Sequence, residues 1–143
     1  MKTMRTALLL LFATTLSAVA DIDFNQLLDE QIAAERKELE ERKHEDDSVA
    51  QHRADEAASA QWIRFMEVLK ASDDNVLKAE FLKADYLFFI ADRQFIIELP
   101  ESPQEFRKAT VEMARYRAKL ARVQAWLDAN APNPDAQADA DAE

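Results

Sequence analysis

Two histidines, both in one charged stretch, are the residues of this chain best suited to chemistry. The stretch ERKELEERKHEDDSVAQHRADE runs from Glu35 to Glu56 and sets Glu41 three residues ahead of His44. On a helix, Glu-x-x-His brings a carboxylate and an imidazole to one side, which is half the motif of carboxylate-bridged di-iron bundles. Such sites need a second pair and two more inward glutamates. Val49 stands where the glutamate before His52 would be, so the second pair is missing. A zinc ion shared by His44 and His52 fails on distance. On a straight helix they lie about 12 Å apart in rise and about 80° apart in rotation, against metal–nitrogen bonds near ~2 Å. Only a broken helix or a second chain would bring them together. The metal candidates are therefore His44, His52, Glu41 and Glu56, with Asp55 beside them, and a solvated histidine is the default for both.

Ser48 lies one turn from each histidine, which invites a Ser-His-acid reading. An exposed helix face has neither an oxyanion hole nor a water-excluded pocket, so the reading has no support beyond spacing. The chain has no Cys and no Gly. That removes a thiol nucleophile and the usual phosphate-cradling loops. No catalytic residue and no cofactor is expected.

The elements that must carry these residues begin after a leader. The first 20 residues, MKTMRTALLLLFATTLSAVA, have a basic start at Lys2 and Arg5, an apolar run from Ala7, and small residues at Ala18 and Ala20. This is the pattern of a cleaved secretory signal with Asp21 as the new N-terminus. The run is too short and too rich in hydroxyls for a spanning helix, which needs roughly 20 apolar residues. Removing residues 1–20, which hold two basic and no acidic side chains, moves the net charge from −10 to −12. So acidic a surface repels nucleic-acid phosphates and anionic lipid, and favours basic partners. The short apolar run points to the periplasm of a Gram-negative bacterium, with the extracellular space as the alternative.

The remainder reads as all-α. Good helix formers dominate, and without glycine the turns of a hairpin-rich β protein are hard to make. Four helical segments follow, at about 24–44, 49–70, 74–99 and 103–130. Asp23 is a candidate N-cap, Ser48 with Gln51 resembles a capping box, and Ser102-Pro103-x-Glu105 is the clearest helix start in the chain. YLFFIADRQFIIEL, at 86–99, also admits a β-hairpin, but its only turn is Ala91-Asp92, a poor one. From residue 131 the chain is Pro-, Ala- and Asp-rich with nothing to bury, so a disordered tail is expected.

The fourth segment carries a seam with alternating spacings of 3 and 4: Phe106, Ala109, Met113, Tyr116, Leu120, Val123 and Leu127. The third repeats it in Leu77, Phe81, Ala84, Phe88, Ala91 and Phe95, and has a second apolar face with Leu82, Tyr86, Phe89 and Ile96. A helix apolar on two faces is expected between two neighbours. This predicts an antiparallel three-helix bundle over 49–130, with the third segment central. Asp85 and Asp92 lie between its apolar faces and need partners. A turn near residue 101 sets Asp85 opposite Arg117, which predicts a register-setting ion pair. Lys108, Arg115, Lys119 and Arg122 form a basic row on the fourth segment, and Ala114, Ala118, Ala121 and Ala125 a small-residue face.

The strip from Glu35 to Glu56 holds only two large apolar residues, Leu39 and Val49. Ordering it costs about 1–2 kcal/mol per residue, which its own burial cannot offset. It is expected to be a solvated helix held by charge pairs one turn apart, such as Glu38 with Arg42. Joined to the next segment it makes a rod of roughly 70 Å, with His44–Ser48 as the weak point. The rod then projects, with Phe24, Leu27, Leu28 and Ile32 near its far end as a candidate partner-binding patch. Self-association and folding back onto the bundle are the alternatives. The leading functional expectation is an exported, non-catalytic interaction protein, as a scaffold, chaperone-like factor or inhibitor. The runner-up is an envelope metal-binding protein using His44 and His52.

Overall fold

The computed structural model describes residues 22–43 and 48–132. They form helices α1 (Phe24–Lys43), α2 (Val49–Ala71), α3 (Asn75–Glu98) and α4 (Pro103–Asn130), with no strand among the described residues. The all-α expectation holds, and 86–98 is helix rather than hairpin. The leader, His44 and the tail from residue 133 lie outside the described residues.

Local chemistry starts the helices largely where the sequence placed them. Asp23 Oδ1 accepts from Gln26 N at 3.1 Å, and Asp74 Oδ1 accepts from Leu77 N at 3.0 Å. Ser102 Oγ accepts from Glu105 N at 3.0 Å, ahead of Pro103 in the first turn. The Glu105 carboxylate reaches back one residue further than in a standard box, to Glu101 N at 2.9 Å. Ser48 also caps, but Gln51 turns its amide forward to Asp55. Among the described residues no backbone φ is positive. α2 and α4 end instead through extended residues, Ser72 and Ala131, which need no glycine.

Residues 23–78 form one compact unit in which α1 packs on α2. Its interior holds Phe24, Leu27, Leu28 and Ile32 from α1 with Met66 and Leu69 from α2. Polar contacts fix an antiparallel register: Lys70 Nζ pairs with Asp29, and Ser59 Oγ donates to Glu35 Oε1 at 2.8 Å. These contacts correct two expectations. α1 and α2 are not one straight rod, because a rod cannot bring residue 29 to residue 70. Phe24, Leu27, Leu28 and Ile32 are not an exposed patch; all four are buried, Leu28 completely. The physical reason is burial: each such side chain contributes about 1.5–3 kcal/mol when covered, and folding back covers all four. Within the described part of the strip, Arg36, Lys37, Glu40, Glu41 and Val49 are exposed, while Glu35, Leu39 and Arg42 are half-buried.

The start of α3 is tied into the same unit by a buried ammonium. Lys78 Nζ donates to Asn25 Oδ1 at 2.9 Å and to the Lys70 carbonyl oxygen at 3.3 Å. The second contact places a cation at the negative end of α2. Asp29, hydrogen-bonded to Lys70 Nζ, holds that ammonium above its ordinary pKa of 10.5, with Glu67 adding to the effect. A raised folded-state pKa adds stability that is complete below the ordinary value and is lost as pH climbs through the raised one. The stability gap between the native chain and an Asp29→Asn variant should therefore be constant from neutral pH to about pH 10 and close above it. Urea titrations at stepped pH measure this; a gap that widens with rising pH would contradict the assignment.

The other compact unit contains α3 from Ala79 onward and α4. Ala79, Leu82, Tyr86 and Phe89 are buried on α3, and Ala109, Met113, Tyr116, Val123, Trp126 and Leu127 on α4. The seam of α4 is thus used as its spacing predicts. Tyr116 is the pivot: its ring stacks on Phe89 at 4.9 Å and lies 5.9 Å from Tyr86. Arg93, 8% exposed, caps this stack. Its guanidinium sits 5.0 Å from the Phe89 ring centre, its Nε donates to Glu112 at 2.8 Å and its Nη1 to Asp92 at 2.7 Å.

The cross-helix ion pair seen differs from the expected Asp85–Arg117: Asp85 is buried, Arg117 is exposed, and Arg93 and Glu112 form an ion pair between α3 and α4. Arg117 follows Tyr116 by one residue, so about 100° of helical rotation carries it out of the seam.

Candidate interaction surface

α3 is helical because it has no breaker between Asn75 and Glu98, and its buried face is set by Leu82, Tyr86, Phe89 and Arg93. On a helix this fixes the opposite face. That face carries Leu77, Phe81, Ala84, Phe88, Ala91 and Phe95, the whole second seam. Phe88 is 68% exposed, Phe95 64% and Leu77 48%; Ala84 and Ala91 are exposed too. The expectation that α3 is covered on both apolar faces is not met here. Leu87 and Leu99 widen the face. Phe88 is held from one side only, with its ring edge-to-face on Phe89 at 5.9 Å. An apolar ridge of this length, bordered by Glu80, Asp92 and Glu98, differs from scattered exposed leucines and is the form a protein-docking surface takes.

The earlier candidates fall elsewhere. Phe24, Leu27, Leu28 and Ile32 are interior, as described. His52 lies on α2 and is half-buried, and no three of His, Cys, Asp and Glu are grouped to hold an ion among the described residues. Ser48 Oγ is engaged as the α2 cap, accepting from Gln51 N at 3.1 Å, which is its structural role. Of the basic row on α4, Lys119 lies 5.7 Å from the Tyr116 ring centre and Lys108 is 4.0 Å from Glu112, while Arg115 and Arg122 are exposed. The small-residue face at Ala114, Ala118 and Ala121 is exposed as well. No described helix is long and apolar enough to cross a membrane.

The ridge is visible in the sequence as a pattern, but the structure leaves it open to solvent where the pattern suggests a covered seam. Alternating 3 and 4 spacing identifies a face that packs; it does not say against what. The usable signal was that α3 has two such faces while α4, with one, offers only a single covering partner. Compared with known proteins, the chain matches no family model, no curated protein and no solved structure.

Proposed function

We propose that this protein is an exported, non-catalytic binding protein that works through the apolar ridge of α3. The observation that carries the reading is the exposure of Phe88 and Phe95, 68% and 64%, on a helix whose other face is packed. Desolvating aromatic side chains is where protein interfaces gain most. The acidic surface keeps the chain soluble despite the ridge and steers basic partners toward it. Export to the periplasm, an antiparallel bundle of the last three helices and an unstructured acidic tail belong to the same proposal and rest on the sequence. Scaffold, chaperone-like and inhibitor-like roles all use such a surface in the same physical way.

The test is photo-cross-linking in cells that make the full chain. A photoreactive residue placed at Phe88 or Phe95 should give discrete protein adducts, whereas the same residue at exposed Arg122 should not. Equal labelling at all three positions would remove the ridge as the working surface.

A further inference from the structure

We infer that the basic row of α4 is covered by the acidic stretch that follows the helix, residues 135–143, laid back along it as a strap. This surface is separate from the α3 ridge and does not depend on its role. α4 departs in charge from the chain around it. From Glu105 to Gln124 it carries six basic and two acidic side chains, in a chain of net charge −10. Both acids are engaged, Glu105 with the Glu101 N–H and Glu112 with Arg93 Nε. The cations are more open. Arg115 and Arg122 are exposed, and neither is paired among the described residues. Lys108 is exposed too, with Glu112 at the long distance of 4.0 Å. Seven residues separate Lys108 from Arg115 and Arg115 from Arg122, so a drift of about 20° per step leaves the three in one line. They lie about 10.5 Å apart along the axis. Ala118, exposed beside the row, leaves room there for a chain to lie close.

Charge, spacing and reach choose the occupant. Residues 133–143 carry four acids and no base: Asp135, Asp139, Asp141 and Glu143. All four are at odd positions. An extended chain, with its period of two, therefore puts them on one edge and the intervening alanines on the other. Asp135, Asp139 and Glu143 are then about 13 Å apart at roughly 3.3 Å per residue. Long arginine and lysine side chains absorb the difference from the row. α4 ends at Asn130, and Arg122 lies about 12 Å back along its axis. The five residues from Asn130 to Asp135 span up to about 16 Å, enough to turn and come back that far. Asp135 then meets Arg122, Asp139 meets Arg115 and Glu143 meets Lys108. The stretch needs no fold of its own for this. An external anionic surface has to approach a chain of the same sign, whereas a tethered segment is present at millimolar effective concentration. Exposed ion pairs are individually weak, so three of them favour the closed form by roughly tenfold at low salt. Added salt screens them and lifts the strap. An acidic partner reaches the row by displacing it.

Because the chain has no Cys, two introduced thiols can report the contact. Gln137 falls on the charged edge between Asp135 and Asp139, level with Ala118. In the full chain without its leader, Ala118→Cys/Gln137→Cys should close an internal disulfide on mild oxidation about tenfold faster than Arg117→Cys/Gln137→Cys. Position 117 has nearly the same separation in sequence but lies about 100° further round the helix. The advantage should vanish at about 0.5 M salt and in an Arg115→Glu/Arg122→Glu background. Adding Asp135→Lys/Asp139→Lys to that background should restore it. Circular dichroism checks that every variant stays helical. Equal rates at 118 and 117, a rate that salt does not move, or a charge swap that restores nothing would each overturn the strap. Removing residues 133–143 should raise binding to vesicles of anionic phospholipid about tenfold. Binding that is equally strong with and without those residues would assign the row to a lipid surface instead.

Discussion

Replacing Arg93 with Met should lower stability by about 3 kcal/mol, the low end of what breaking a buried ion pair costs. Arg93 is held on several sides. Its side chain is 10% exposed, its Nε bonds Glu112 at 2.8 Å, and its guanidinium lies over Phe89 and Tyr116. The variant removes the cation but leaves the Glu112 carboxylate, 21% exposed, without its 2.8 Å partner. The carboxylate is then left with the longer Lys108 contact, at 4.0 Å, and this weaker pairing together with the lost ring contact accounts for the loss. Asp92, half exposed, reaches water and adds little. Removing both partners should therefore recover much of the stability, so Arg93→Met/Glu112→Leu should be far closer to the native chain than Arg93→Met. Arg93→Lys should fall between, because an ammonium lacks the planar fork and the ring contact. Urea unfolding of the four proteins measures the cycle. A single variant within about 0.5 kcal/mol of native would show that the pair is decorative.

Leu28→Ala should cost about 2.7–5 kcal/mol, the range for emptying a closed leucine site. Phe88→Ala should stay within about 0.5 kcal/mol when measured on dilute chain, as exposed positions do. Leu28 is fully buried in the α1–α2 unit, whereas Phe88 is 68% exposed. The order is the reverse of what the sequence suggests, where Phe88 reads as bundle glue and Leu28 as part of a free arm. Dilution matters, because any self-association through the ridge would add concentration-dependent stability to the Phe88 side chain. Parallel melts at one low concentration decide the matter. If Phe88→Ala were the costlier change, the ridge would be core and its proposed role as a docking face would fall with it.

The two compact units solve the same problem by different means. In the unit from Asp23 to Lys78, apolar side chains are few and polar contacts set the register: Asp29 with Lys70, Ser59 with Glu35, and Lys78 with Asn25. From Ala79 onward, aromatic rings do that work, with Tyr116, Phe89 and Tyr86 in contact and Arg93 placed on the stack. The acidic surface follows from the first arrangement. A helix pair held by few apolar residues keeps most of its length solvated, and charge is what keeps it so.

Helix positions and caps were settled by the sequence alone, because they depend on neighbours within a turn. Ser102-Pro103-x-Glu105 starts α4 by supplying acceptors to orphan N–H groups, and no distant residue is needed for that. The seam of α4 was equally legible, since spacing decides which residues share a face. Which face meets which partner is not a local property. Leu28 and Phe88 both sit on regular apolar stripes, yet one is interior and the other open to solvent. Only tertiary structure could choose, because closing α1 onto α2 depends on contacts such as Asp29 with Lys70, more than forty residues apart in sequence. The same reason puts Arg93 against Glu112 in the α3–α4 pair: which residue of a helix enters a seam, and which neighbour about 100° away leaves it, is decided by packing along the whole pair.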